Sequence, residues 1–128
     1  MNADEVLAEY AAAWARGDPE TAFTYYADDM VMRLPGRSQE AGVHIGKQAV
    51  VAAIRSLLGR TGDDPVEVIP VDRLISGDRV AMLLREVVTR GDDVLDLRRV
   101  NVYTVRDDLI VEIDIFEANQ YEVDAFFG

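Results

Sequence analysis

A chain of 128 residues, 49% hydrophobic and 29% charged, has the size and composition of a single domain over residues 1–128 built on one core, which excludes a disordered segment. Its 13 Lys and Arg against 24 Asp and Glu leave a net charge of -11, a surface that repels phosphate backbones and anionic lipid, so nucleic acid and membrane are both set aside as partners. There is no cysteine for a disulfide or thiolate metal site, no basic, apolar leader in MNADEVLAEY and no apolar run of about 20 residues, so a cytoplasmic protein is expected.

In chain order, Val6, Tyr10, Ala13 and Trp14 recur at helical spacing and predict a helix over residues 3–16, stopped at Gly17. Asp18-Pro19 is an N-cap followed by a first-turn proline, and opens a second helix through about Tyr26 with Ala22, Phe23 and Tyr26 on its inner face. Met30 to Leu34 reads as a short strand ended by Pro35-Gly36, and residues 37–45 as a loop. Gly46 precedes a third helix over 47–58, with Val50, Ile54, Leu57 and Leu58 on one side. Strands are predicted over 66–76 and 79–90, with turns at Gly77-Asp78 and Gly91-Asp92, and residues 120–127 read as a short helix or an extended tail.

The stretch from Asp96 to Glu117 predicts two antiparallel strands around Asp107-Asp108. A two-residue loop there would set Val105 opposite Ile110, Tyr103 opposite Glu112, Asn101 opposite Asp114 and Arg99 opposite Phe116. Val100, Val102, Thr104, Val111, Ile113 and Ile115 would then share the other, apolar face. Helices first and strands last predict an α+β architecture with helices on one side of an antiparallel sheet.

The segments GDPETAFTYYADDMVMRLPG, IGKQAV and VRDDLIVEIDIF resemble the ketosteroid-isomerase and SnoaL-like polyketide-cyclase group, within the nuclear-transport-factor-two-like superfold. The resemblance implies a strongly bent sheet wrapped around N-terminal helices, a cone with an internal apolar cavity, and a homodimer. Trp14, Phe23, Tyr26, Met32, Leu34, Ile54, Val102, Ile113 and Ile115 are the residues expected to line that cavity.

Ketosteroid isomerases hold an enolate oxygen with a tyrosine and a protonated aspartic acid, and use a second aspartate as base. By resemblance the tyrosine falls on Tyr10, eight residues before Asp18, and the oxyanion acid on Asn101; the base position is Leu34, which cannot take a proton. SnoaL-like cyclases imply an acid/base carboxylate, for which Asp114 is the candidate, with Glu112 nearby and His44, the one histidine, as a proton shuttle. Limonene-epoxide-hydrolase relatives need an arginine between two acids. The matching strand reads Leu84-Arg85-Glu86-Val87, with valine in the first acid's place and Ile115 in the second's, one position from Asp114.

The expected function is therefore cofactor-free acid/base isomerisation or cyclisation of an apolar carbonyl-bearing or polycyclic molecule, with no metal site. The alternative is a non-catalytic ligand-binding or dimerisation module, and an epoxide hydrolase ranks below both. Asp114 facing the cavity would favour the enzyme, and Asp114 facing solvent the binder. Strand 79–90 is apolar on both faces, Val80, Met82, Leu84 and Val88 on one and Ala81, Leu83 and Val87 on the other, so a homodimer through the outer sheet face is expected.

Overall fold

A computed structural model describes residues 1–128. Helix α1 (Ala3–Ala15) starts at Asn2, whose side chain accepts the Glu5 N–H at 2.8 Å, while Asp4 and Glu5 favour the positive end of the helix dipole. Its stripe of Val6, Leu7, Tyr10 and Ala13 is buried, as the periodicity requires. Helix α2 (Pro19–Phe23) is capped by Asp18 but ends sooner than predicted. Tyr26 opens strand β1 (Tyr26–Leu34) instead, aligned with Ile110 of a strand far along the chain.

Residues 42–45, predicted as loop, form strand β2 (Gly42–Ile45), antiparallel to β1. Four residues are too few for an alternating pattern to register, and pairing with β1 supplies what local propensity lacks. Helix α3 (Lys47–Leu58) follows Gly46, whose φ of 94° favours glycine. Strands β3 (Glu67–Ser76), β4 (Arg79–Arg90), β5 (Asp93–Arg106) and β6 (Leu109–Glu117) come next, and residues 120–127 resolve as helix α4 (Gln120–Phe127).

The six strands form one curled, unclosed sheet in the order β2-β1-β6-β5-β4-β3. All neighbours are antiparallel except β1 and β6, which run parallel. The free edge at β3 carries Pro70, a register break between Pro70 and Asp72, and charged residues, all of which discourage pairing with another chain.

The β5–β6 hairpin departs from the predicted register in one instructive way. Asp107 and Asp108 both take positive φ, 53° and 65°, the conformation of a two-residue type I′ loop, and Val105 faces Ile110 as expected. A bulge then inserts Val111, so Glu112 pairs with Thr104, Ile113 with Tyr103, Asp114 with Val102, Ile115 with Asn101 and Glu117 with Arg99. Without the bulge, two carboxylates would enter the core and two isoleucines would leave it. Burying unpaired charge costs far more than one irregular ladder step, so the bulge prevails. Asp114 and Val102 are thus on the outer face, contrary to the roles expected of them.

Two apolar clusters fill the interior. The larger joins α1, α2, β1 and α3 to the inward rows of β4, β5 and β6, including Met30, Met32, Val80, Met82, Leu84, Tyr103, Ile110 and Ile113. The smaller lies under α4 and contains Val88, Leu95, Leu97, Val123 and Phe127.

Candidate functional site

Between the two clusters the inward rows turn polar. On β4 the row runs Leu84, Glu86, Val88; on β5 it runs Leu97, Arg99, Asn101, Tyr103; on β6 it ends Ile113, Ile115, Glu117. Arg99 stands opposite Leu84 on one side and Glu117 on the other, so neighbouring strands aim three charges at one place. Arg99 Nε donates to Glu117 Oε1 at 2.6 Å and Nη1 to Glu86 Oε2 at 3.2 Å. The Glu117 side chain is 2% exposed, whereas Arg99 and Glu86 keep 16% and 17%, so the trio is sunk in the interior but touches solvent at one end.

Burial pushes the Glu117 carboxyl above its usual range, against the pull of Arg99. Burial also opposes the Arg99 charge, but Glu86 and Glu117 together outweigh it and the guanidinium pKa is raised. The result is a permanent cation beside a carboxyl group poised to exchange a proton.

A second polar run continues from the trio toward α1. Asn101 Nδ2 donates to the Tyr103 hydroxyl at 3.2 Å, and the Tyr10 and Tyr26 hydroxyls lie 2.7 Å apart. The Tyr10 and Tyr103 rings meet edge to face with centroids 5.5 Å apart. Burial raises the pKa of Tyr10, Tyr26 and Tyr103, so all three stay neutral hydroxyls near neutral pH. Two buried oxygens in this region have no hydrogen-bond partner, Asn101 Oδ1 and Glu117 Oε2. An unpartnered buried oxygen costs about 1–3 kcal/mol.

The residues singled out in the sequence divide accordingly. Tyr10 and Asn101 are both inside, in two hydrogen-bonded pairs that meet through the Tyr10–Tyr103 ring contact, the Tyr10 hydroxyl engaged by Tyr26 and the Asn101 amide NH₂ by Tyr103. Trp14, half-buried, sits edge to face with Tyr10 and Phe23. Phe23, Tyr26, Met32 and Ile113 are core residues, with Ile54 and Ile115 packed against them. Leu34 ends β1 at its β2 side, half-buried. Val102 is turned outward, opposite Asp114 and Ala81.

Asp114 is tied to Arg33 at 2.9 Å, as is Glu112, both on the outer face, so it is no part of the interior cluster. His44 is opposite Met32 on the edge strand β2, its Nε2–H donating to the Glu40 carbonyl at 2.6 Å. Three strand spacings, roughly 14 Å, separate it from Tyr103. The Arg85 motif is also outside the cluster: Arg85 pairs with Asp96 on the outer face at 2.7 Å. The arginine between two acids is present, but it is Arg99 between Glu86 and Glu117. A single charge in each of three inward rows was the available signal. No group of three or more His, Asp or Glu side chains gathers to hold a metal ion.

Residues 7–113 match the family model described as the SnoaL-like domain. Among solved structures, the Bal32a protein from a soil-derived mobile gene cassette superposes with a TM-score of 0.88 at 26% identity, covering 98% of this chain and 96% of that one. A Xanthomonas campestris protein of unknown function with a cystatin-like fold gives a TM-score of 0.87 at 29% identity, covering 100% and 99%. A Mesorhizobium loti protein provisionally described as a SnoaL-like polyketide cyclase gives 0.71 at 22% identity, covering 91% and 99%. No functionally curated protein is significantly similar in sequence.

Proposed function

Because the chain belongs to the SnoaL-like domain family, we propose that its interior performs cofactor-free acid/base isomerisation or cyclisation on an apolar, carbonyl-bearing or polycyclic molecule of polyketide or steroid type. Glu117 is the proton carrier, in the role the sequence had suggested for Asp114. The observation that carries this reading is a carboxyl group 2% exposed, bonded through one oxygen to Arg99 and unpartnered at the other. Moving a proton near neutral pH needs a carboxyl raised from its ordinary range, and burial supplies that.

Arg99 has its Nε and Nη1 engaged by carboxylates, which leaves Nη2 to polarise a substrate carbonyl. Asn101 and Tyr103 position the oxygen-bearing end, while Met82, Leu84 and Ile113 provide hydrocarbon for the rest. A proton taken from carbon beside the carbonyl and returned elsewhere shifts a double bond, and the same enolate can close a ring.

A second reading rests on a specific observation: Asp114 faces outward in an ion pair with Arg33, as expected of a non-catalytic binding module. One experiment separates the two. A β,γ-unsaturated cyclic ketone is incubated with the protein in deuterated buffer and deuterium at its α-carbon is followed by NMR. The enzyme reading expects exchange well above buffer, reduced by roughly 10²-fold or more in Glu117→Gln. Binding without any exchange would leave the binding module as the function.

A further inference from the structure

Strand β5 begins at Asp93, but β6 ends at Glu117, opposite Arg99, so residues 93–98 of β5 have a neighbouring strand, β4, on one side only. We propose that this edge, together with the flank of α4 beside it, takes up an extended, basic segment of a partner protein as an added strand.

In an antiparallel ladder each residue turns its N–H and C=O to the same neighbour, and successive residues alternate. Asp93 pairs with Arg90 to close the two-residue turn, so Asp93, Leu95 and Leu97 bond to β4. On the other side the Ala118 N–H donates to the Arg98 carbonyl at 2.9 Å, which fixes Val94 and Asp96 as facing the vacant edge too. Val94 and Asp96 therefore hold out both backbone groups, and Arg98 its N–H, where no strand meets them. The outer edges of the sheet are blunted, β3 by Pro70 and its register break, β2 by a length of four residues. Here the ladder with β4 is unbroken, no proline intervenes, and the Val94 side chain is 62% exposed.

Helix α4 runs beside this edge, and Leu95, Leu97, Ala118, Ala125 and Phe126 line the open groove of about 970 Å³ between them. A strand laid against a sheet edge draws affinity from the backbone and selectivity from such side-chain room. The charges choose the occupant. Arg85 is held by Asp96, and Arg90 by the carbonyls of Phe126 and Arg60. Asp93 and Glu122 remain without an ion pair, against Arg98 alone, on a chain of net charge -11, and this favours a basic segment. Lysine stems would lie along Ala125 and Phe126 with their ammonium groups at Glu122 and Asp93. A second copy of the chain is a worse match. The fullest self-pairing of this edge about a two-fold axis would set Asp96 against Asp96 and Val94 against Arg98.

The test titrates the whole protein at pH 7 with the end-blocked heptapeptide Lys-Val-Lys-Val-Lys-Val-Lys and with its Glu-for-Lys counterpart. A third probe is the lysine peptide N-methylated at alternate residues, which removes the donors of one edge. Binding is read by ¹⁵N NMR. With the lysine peptide, the amides of Val94, Asp96 and Arg98 should shift and exchange more slowly with solvent, while Leu95 and Leu97, already bonded to β4, keep their rates. It should bind about tenfold tighter than the glutamate peptide, an advantage that shrinks in Glu122→Gln. N-methylation should abolish binding. Val94→Pro should also lose it, although it breaks no bond to β4 and the remaining spectrum should be unchanged. Equal binding of the N-methylated peptide, tighter binding of the glutamate peptide, or no response at Val94, Asp96 and Arg98 would each overturn the proposal. So would the same amide pattern arising from concentration alone, which would make a second copy the occupant.

Discussion

Glu117 is asked to hold a charge where water barely reaches, and this gives its titration a definite sign in folding. Its folded pKa lies above the unfolded value of 4.5, so the folded state binds the proton more tightly. The stabilisation is complete below about pH 4.5 and is lost as pH rises through the raised value. Glu117→Gln is neutral at every pH. The difference in unfolding free energy between variant and parent should therefore move in the variant's favour as denaturant titrations are repeated from pH 4.5 to 7. A difference independent of pH would mean that Glu117 titrates as though exposed. At this same scale the sequence was only partly legible. Leu95, Leu97, Arg99, Asn101, Tyr103 and Val105 fall on one face by alternation alone. The partner of Arg99 depended on Val111 being extruded from the ladder, which alternation does not encode.

Among the elements, α4 closes the end of the interior next to the Arg99 cluster. Arg90 donates to the carbonyls of Phe126 at 2.7 Å and Arg60 at 3.0 Å, its guanidinium 4.0 Å from the Phe126 ring centroid, while Arg60 reaches the Phe127 carbonyl and buried Glu40. The helix also docks against Gly36, where a β-carbon would run into Gln120 Nε2 and Asp124 Oδ1 and where φ is +100°. Gly36→Ala should destabilise the protein by about 1–3 kcal/mol through strain and displaced packing. Its signature is local: amide hydrogen exchange should accelerate in residues 120–127 more than in α1. Uniform acceleration would mean that α4 is not held at this point. The helices and long strands were readable because each is long enough for its period to repeat. Strand β2 was not, because its four residues are too few for a period to repeat, nor was the early start of β1, which depends on a strand distant in sequence.

For the molecule as a whole, the outer face of the sheet poses the question of a partner. Val31, Ala81, Leu83, Val100 and Val102 are only half-buried there, and Phe116 is 59% exposed, although no helix covers them. Around them Arg33 is shared by Glu112 and Asp114, and Arg85 is matched by Asp96, so this face is apolar with two arginines against three carboxylates, on a chain whose net charge is -11. We propose that two copies pair through it. Repulsion between two such anions opposes pairing at long range, and salt screens it within about 10 Å at 0.1 M. Sedimentation equilibrium at micromolar concentration should show a dimer that tightens from low salt to 0.1 M, and Phe116→Glu should weaken it. A monomer under all these conditions would remove the proposal.

The parallel pairing of β1 with β6 also sets a schedule. Arg33 and Asp114 meet across 81 residues of intervening chain. A ribosome therefore releases β1 long before the strand it needs, and the short hairpin it makes with β2 is marginal alone. Until β6 emerges, Met30 and Met32 have no neighbouring strand on one side, and the loop to be closed is 81 residues long. Folding must wait until β6 has emerged, and the growing chain is most open to aggregation in that interval.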